Sequence, residues 1–235
     1  MDDSRSRDTA PGVRLRSPAW LALAAVALAP TLAGCSLFVM AGKVFFGDPQ
    51  VTCAFRQQTG VDLAREKKRV LVVCTTPAAV GPELASLRYD LVELLTRRMK
   101  RAGIELVDSN KIAAWMDRNG GFFDHPSELA SDFDADYIVH VDVRSFAYHE
   151  ENSPTLYRGH VQGDVFAYAV AREGRSRTTA HQVFSNTFTS QYPEHAPKAA
   201  VDISSERVFV RRCVDRLSIQ LAQLFHDHPM SERIH

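Results

Sequence analysis

The stretch "RVLVVCTTP", residues 69–77, limits the possible folds of this 235-residue chain more than any other segment. Five consecutive apolar residues of this kind form a strand that is covered on both faces and therefore lies inside a sheet. The following segment, "LASLRYDLVELLTRRMKRAG", has apolar residues at helical spacing, and "IELVDS" forms a second short strand. This order predicts a right-handed parallel crossover.

The rest of the chain predicts two short helices, three strands and a closing helix. "NKIAAWMDRNGG" and "DHPSELASDF" give the helices, with Pro126 at the first helical position of the second one. In "ADYIVHVDVRSFAYHEE", valines alternate with His140 and Asp142, which predicts one apolar and one polar strand face. Two further strands complete an antiparallel meander. The predicted fold class is α/β (α+β): a single mixed sheet in the order β-α-β-α-α-β-β-β-α, with helices packed on it and a long C-terminal helix.

The closing helix is predicted from "DISSERVFVRRCVDRLSIQLAQLFHDHP". Ser204 is expected to cap it, and Ile203 and Val208 are expected to form a hydrophobic staple. Pro229 is expected to end it, and the two histidines of "HDHP" are interpreted as a complement to the helix dipole.

The start of the chain has the layout of a secretory signal. Arginines precede the uncharged run "AWLALAAVALAPTLAG", which ends in small residues directly before Cys35. The tetrapeptide Leu32-Ala33-Gly34-Cys35 resembles the lipobox of bacterial lipoproteins. That resemblance implies cleavage after Gly34, a covalent lipid on Cys35, and a periplasm-facing protein attached to a membrane of the cell envelope. Ser36 after the cysteine favours the outer membrane, while an uncleaved membrane-spanning helix remains the alternative.

The segment boundaries follow from these patterns. Residues 1–34 are interpreted as the signal peptide, 35–61 as a membrane-proximal segment and linker, 62–228 as the α/β domain and 229–235 as a tail. The chain has 28 basic and 28 acidic residues, a balance that gives no reason to expect nucleic acid as a partner.

Three cysteines remain besides Cys35. Cys74 ends an apolar strand and Cys213 lies on the apolar face of the closing helix, so both are interpreted as small buried hydrophobic residues. A disulfide between them is the alternative in an oxidising envelope. Because Cys53, Cys74 and Cys213 are odd in number, they cannot all pair within one molecule.

The segment "FDADYIVHVDV" resembles the small α/β domain of envelope proteins. Examples are the curli secretion lipoprotein, the penicillin-binding-protein activator lipoprotein and the amino-terminal domain of the Tol-Pal translocation protein. "SLRYDL", "DFDADYIV" and "ENSPTLYRG" are similar to segments of uncharacterised planctomycete lipoproteins. These resemblances imply an envelope protein but bring no catalytic residue with them.

The sequence has none of the common catalytic or nucleotide-binding motifs, so an enzyme is less expected than a binding protein. The strand pattern does allow His140, Asp142, His160 and Asp164 to share one sheet face, where they would be candidate ligands for a metal. This face is the basis of an alternative function, a metal-dependent hydrolase or small-ligand binder. Cross-strand hydrogen bonds on a polar face explain the same pattern without a metal, and no cofactor other than the lipid is predicted.

The loop "ENSPTLYRG" is the predicted contact for a partner protein, through Asn152, Pro154 and Tyr157. The favoured function is therefore a noncatalytic, membrane-anchored lipoprotein that binds another envelope component in assembly, secretion or wall-synthesis control. Its expected partners are the membrane, through the lipid anchor, and an envelope protein.

Overall fold

The computed structural model of the protein describes residues 49–77, 86–173 and 177–230. The predicted cleavage-site residues Leu32, Ala33 and Gly34, and the predicted lipid attachment at Cys35, lie outside the described residues. Within the described part, a mixed sheet carries helices on both faces. The predicted α/β class is confirmed.

In the described ranges, the strands are β1 (Gln50–Val51), β2 (Arg69–Thr75), β3 (Glu105–Leu106), β4 (Tyr137–Glu150), β5 (Ser153–Glu173), β6 (Arg177–Tyr192), β7 (Lys198–Ala199) and β8 (His228–Pro229). The main sheet has the order β3-β2-β4-β5-β6, and β7 pairs with β5. β2 is parallel to β3 and to β4, whereas β4, β5 and β6 form the predicted antiparallel meander. A separate small sheet pairs β1 with β8.

The described helices are α1 (Ala54–Thr59), α2 (Leu87–Arg101), α3 (Ser109–Arg118), α4 (Pro126–Asp132) and α5 (Glu206–Ala222). A short 3₁₀ turn, Ala200–Asp202, precedes α5. Among the described residues, no helix is both long enough and apolar enough to cross a bilayer.

The two faces of β2 belong to two separate parts of the core. Val70, Val72 and Cys74 pack in one cluster with α2 and α5, and Leu71 and Val73 pack in the other with α3 and α4. All five side chains are buried. The uninterrupted apolar run therefore predicted correctly that this strand is covered on both sides.

The domain begins before residue 62, which corrects the predicted linker for residues 50–61, while residues 35–48 of that segment lie outside the described residues. The ring of Phe55 in α1 is fully buried, with its centroid 5.5 Å from that of Tyr137 and 5.7 Å from those of Phe184 and Phe225. Its backbone N–H donates to the carbonyl of Leu224 at 2.9 Å. The segment from Gln50 onward is thus part of the core rather than a spacer.

The amino and carboxyl ends of the domain are held together by one carboxylate. Asp227 accepts a hydrogen bond from the backbone N–H of Cys53 at 2.9 Å. The same carboxylate forms an ion pair with the Arg56 guanidinium at 2.5 Å. Pro229, which the sequence pattern assigned to a tail, pairs with Gln50 in the small sheet.

The start of α5 also differs from the prediction. The capping residue is Ser205 rather than Ser204, and its hydroxyl accepts from the backbone N–H of Val208 at 3.2 Å. Val208 is 41 % exposed, so it does not form the predicted staple with Ile203. The helix ends at Ala222, well before Pro229.

The described cysteines Cys53, Cys74 and Cys213 are free and buried. Cys74 lies in the larger core cluster, whereas Cys213 packs beside Tyr157 and Phe209. Cys74 and Cys213 therefore do not form the disulfide that was the alternative prediction. Burial raises the pKa of Cys74 to about 12 and that of Cys213 to about 12. These thiols act as small apolar side chains, as predicted.

The substitution Phe55→Ala tests whether α1 belongs to the core. We expect it to lower the free energy of unfolding by about 3–5 kcal/mol, because it removes a fully buried ring and leaves a cavity. Urea unfolding of the full chain, followed by tryptophan fluorescence, measures this. Phe122→Ala is the matched control, since Phe122 is 56 % exposed and should tolerate the change. Equal, small losses in both variants would contradict the role of α1.

Candidate functional site

The polar face predicted on β4 is built around Thr75, at the carboxyl end of β2. The parallel register places Val73 beside His140 and Thr75 beside Asp142. The Thr75 hydroxyl donates to Asp142 Oδ1 at 2.9 Å and lies 2.8 Å from His140 Nε2. Because that hydroxyl has a single proton, His140 is the donor in the second bond, from a protonated Nε2.

His140 is held between aromatic rings. Its ring centroid lies 4.9 Å from that of Phe123 and 6.0 Å from that of Phe166. Burial lowers the pKa of His140, and the nearby Asp142 carboxylate opposes this shift without cancelling it. The ring is therefore neutral near pH 7 and serves as a hydrogen-bond donor.

The structure does not gather the four candidate metal ligands into one site. Asp164 lies opposite Asp142 in the β4–β5 ladder, but it accepts from Thr187 at 2.7 Å and pairs with Arg144 at 3.1 Å. His160 stands four residues along β5 from Asp164, about 13 Å away, beside Glu150 at 3.8 Å. In the described part of the chain, no group of three or more His, Cys, Asp or Glu residues has the geometry to hold a metal ion.

The β4–β5 hairpin extends well past the rest of the parallel sheet. The last pair between β2 and β4 is Thr75 with Asp142, yet β4 continues to Glu150. Over residues 143–150, β5 covers one edge of β4, and no described strand covers the other. We call residues 143–150 the open edge. The other side of β5 is covered by β6 and, near the tip, by β7.

The tip of the hairpin is a two-residue turn rather than the predicted loop. Glu150 pairs with Ser153, so Glu151 and Asn152 make the connection. Asn152 has φ +64°, in the left-handed region that asparagine tolerates better than most residues. Asn152 and Pro154 are exposed, as a contact surface requires.

Tyr157, the third predicted contact residue, has a structural role instead. Only 7 % of it is exposed, and its ring centroid lies 5.5 Å from that of Phe209 in α5. Its hydroxyl donates to Glu206 at 2.8 Å. Tyr157 therefore anchors the hairpin to α5 and is not available to a partner.

Three irregularities interrupt the open edge. The register of the β4–β5 ladder shifts between Val143 and Ser145, between Ala147 and His149, and between His149 and Glu150. Bulges of this kind bend a strand and limit how many residues of it can pair continuously with a neighbour. The edge is suited to a short added segment rather than a long one.

No family model and no curated protein matches the chain. Solved structures do match. A PelC dodecamer from Paraburkholderia phytofirmans is 13 % identical with a TM-score of 0.39, over 76 % of this chain and 96 % of that one. Lipoprotein GNA1162 from Neisseria meningitidis is 13 % identical with a TM-score of 0.37, over 66 % and 98 %. The hypothetical protein CT253 from Chlamydia trachomatis is 13 % identical with a TM-score of 0.40, over 68 % and 98 %. At this identity and TM-score, the matches assign neither a family nor a function.

The substitution His140→Gln tests the neutral, buried state of His140. With a lowered pKa, the native state binds fewer protons than the unfolded state, so the stability that His140 contributes is lost as the pH falls below about 6.5. We expect the difference in unfolding free energy between wild type and variant to be larger at about pH 7.5 than at about pH 5.5. Urea titrations at both pH values measure it. A difference that is independent of pH would contradict the burial of a neutral ring.

Proposed function

We propose that this chain is a noncatalytic envelope lipoprotein that binds another envelope protein through the open edge of its β4–β5 hairpin. A covalent lipid on Cys35 would attach it to the membrane, and the outer membrane is favoured by Ser36. The domain would then act as an accessory in assembly, secretion or wall-synthesis control.

The open edge is the observation that carries this proposal. An uncovered strand presents unpaired backbone N–H and C=O groups, and an extended segment of a partner can pair with them. Ser145 and Ala147 on this edge are exposed, so side chains of a partner can also reach them. The adjoining turn residues, Glu151 and Asn152, are exposed as well and extend the same surface.

The charges on the hairpin favour a specific partner over unselective pairing. The Arg144 guanidinium lies at one end of the open edge and is bonded to Asp164, while Glu150 at the other end pairs with Arg158 at 2.9 Å. Charged residues and bulges at an edge are the means by which proteins prevent random strand addition. A partner would need a short strand with matching charges.

The membrane anchor supports the same function. Several acyl chains hold a protein stably at a bilayer, each buried methylene contributing about 0.8 kcal/mol. Restricting the domain to a surface raises its effective concentration toward partners at that surface, so even a small contact is sufficient. The lipobox-like residues before Cys35 are the support for this step.

A photo-crosslinking amino acid at position 147 tests the docking surface. In native membranes of the source cells, we expect the full-length chain carrying it in place of Ala147 to form one discrete protein adduct. The same amino acid in place of Lys111, which is exposed on α3 away from the hairpin, is the matched control and should give no such adduct.

The substitution Ser145→Lys, in the chain that carries the crosslinking amino acid at position 147, provides the second arm. The Ser145 side chain is exposed, so the unfolding midpoint should stay unchanged, while recovery of the crosslinked partner should fall by about tenfold or more, equivalent to about 1.4 kcal/mol. Equal adducts at positions 147 and 111, or unchanged recovery in the Ser145→Lys variant, would rule out the open edge as the docking surface.

A further inference from the structure

The open edge is complementary to itself when it is read in the opposite direction. Residues 144–150 of this edge are "RSFAYHE", with Ala147 at the centre. Arg144 stands three residues before that centre, and Glu150 stands three residues after it. When two copies of this strand lie antiparallel with their Ala147 residues opposite each other, each Arg144 lies opposite a Glu150. Opposite charges directly across two strands stabilise the pair.

The side chains between the two charged ends match as well. Phe146 and Tyr148 pack against the cluster that contains residues of α5, so they share one face of the hairpin. Antiparallel pairing about Ala147 places each Phe146 opposite a Tyr148, and aromatic pairs are among the favourable cross-strand contacts. On the other face, Ser145 comes opposite His149, which gives a pair of polar side chains. The small side chain of Ala147 meets its own copy and lets the strands approach closely.

The irregularities of the hairpin leave β4 itself regular over most of this stretch. The first register shift inserts one residue, Arg144, into β4. The other two shifts insert their extra residues into β5, because two steps along β4 from Ala147 correspond to three along β5, and one step from His149 corresponds to four. From Ser145 to Glu150, β4 therefore keeps the alternation that pairing with a second strand requires.

Both charged residues have atoms left for a further contact. The Arg144 side chain is 54 % exposed and is bonded to Asp164 through Nε at 3.1 Å and Nη2 at 3.4 Å, which leaves its Nη1. Glu150 is bonded to Arg158 through Oε1 at 2.9 Å, and its Oε2 lies 3.8 Å from His160, beyond hydrogen-bond distance. Each end of the stretch can therefore pair with the opposite charge of a second copy.

Other arrangements of two copies are less favourable. Parallel strands in register would place Arg144 beside Arg144 and Glu150 beside Glu150, and like charges across two strands are destabilising. An antiparallel register centred on Phe146 would move Glu150 opposite Asp142, a second carboxylate on a stretch that already pairs with β2. The register centred on Ala147 avoids both conflicts. A two-fold axis also uses the same surface on both copies, so the assembly closes as a dimer.

We propose that the partner at the open edge is a second copy of this chain, paired antiparallel over residues 144–150 with Ala147 on the two-fold axis. This inference rests on the proposed function, since it keeps the open edge as the docking surface and names the protein that docks there. The paired stretch of seven residues is about 24 Å long. Anchoring both copies to one membrane would supply the effective concentration that such a short contact needs.

Disulfide trapping of Ala147→Cys in the full-length chain, in membranes of the source cells, tests the register. After mild oxidation with copper phenanthroline, we expect a covalent dimer of twice the chain mass, because position 147 faces its own copy. The described native cysteines are buried and should not react. Ser145→Cys is the matched control, since its side chain is also exposed. Its two thiols would lie about 13 Å apart along the strands, too far for a disulfide, so it should give no dimer.

Charge reversal tests the pairing of the ends. In the Ala147→Cys chain, Arg144→Glu or Glu150→Arg alone should lower the yield of dimer about tenfold, because like charges then meet across the axis. The two reversals together should restore it. Arg97→Glu is the matched control, since it reverses an ion-paired arginine on α2 and should leave the yield unchanged. Unfolding midpoints of all variants check that the fold is kept.

The photo-crosslinking amino acid at position 147 separates failure of this inference from failure of the proposed function. An adduct of twice the chain mass would support the dimer. A discrete adduct with a different protein, together with no disulfide dimer from Ala147→Cys, would overturn the dimer and leave the proposed function standing. No discrete adduct would overturn both. Equal dimer yields from Ala147→Cys and Ser145→Cys, or no recovery in the double charge reversal, would also overturn the dimer.

Discussion

The parallel pairing of β2 with β4 is the constraint on which the rest of this structure depends. β2 is buried on both faces, so helices must lie on both sides of the sheet, α2 and α5 on one and α3 and α4 on the other. The register of that pairing also decides which side chains meet at the carboxyl end of β2. It places Thr75 beside Asp142 and within hydrogen-bond distance of His140. Where the pairing stops, the open edge of β4 begins.

Much of this architecture is predictable from local patterns. Runs and alternations of apolar residues report the burial of each strand, and they were sufficient to predict the order of the main helices and strands. Short elements escape this approach. α1 has only six residues, too few for a helical period to be recognised, and its place in the core depends on contacts with residues near the carboxyl end such as Leu224 and Asp227. Those contacts leave no trace in the residues around Phe55.

The candidate sites show the same division between local and long-range information. The alternation of polar and apolar residues correctly placed His140 and Asp142 on one face of β4. The bulges depend instead on the register of β4 against β5, and so do the partners of Asp164 and His160. Tyr157 looks like an exposed loop residue in the sequence because the turn is shorter than expected and its contact with α5 is distant in the chain.

The bonds from Asp227 to Cys53 and Arg56 have a consequence for how the domain is made. A ribosome synthesises the chain from its amino end, so Phe55 emerges about 170 residues before Phe225 and Asp227, the separation in sequence between Cys53 and Asp227 being 174 residues. Contacts between residues so far apart in sequence close slowly, because a long intervening chain must first be ordered. The aromatic centre of this domain therefore stays incomplete until Phe225 has been synthesised, and the nascent chain must be kept from aggregating until then.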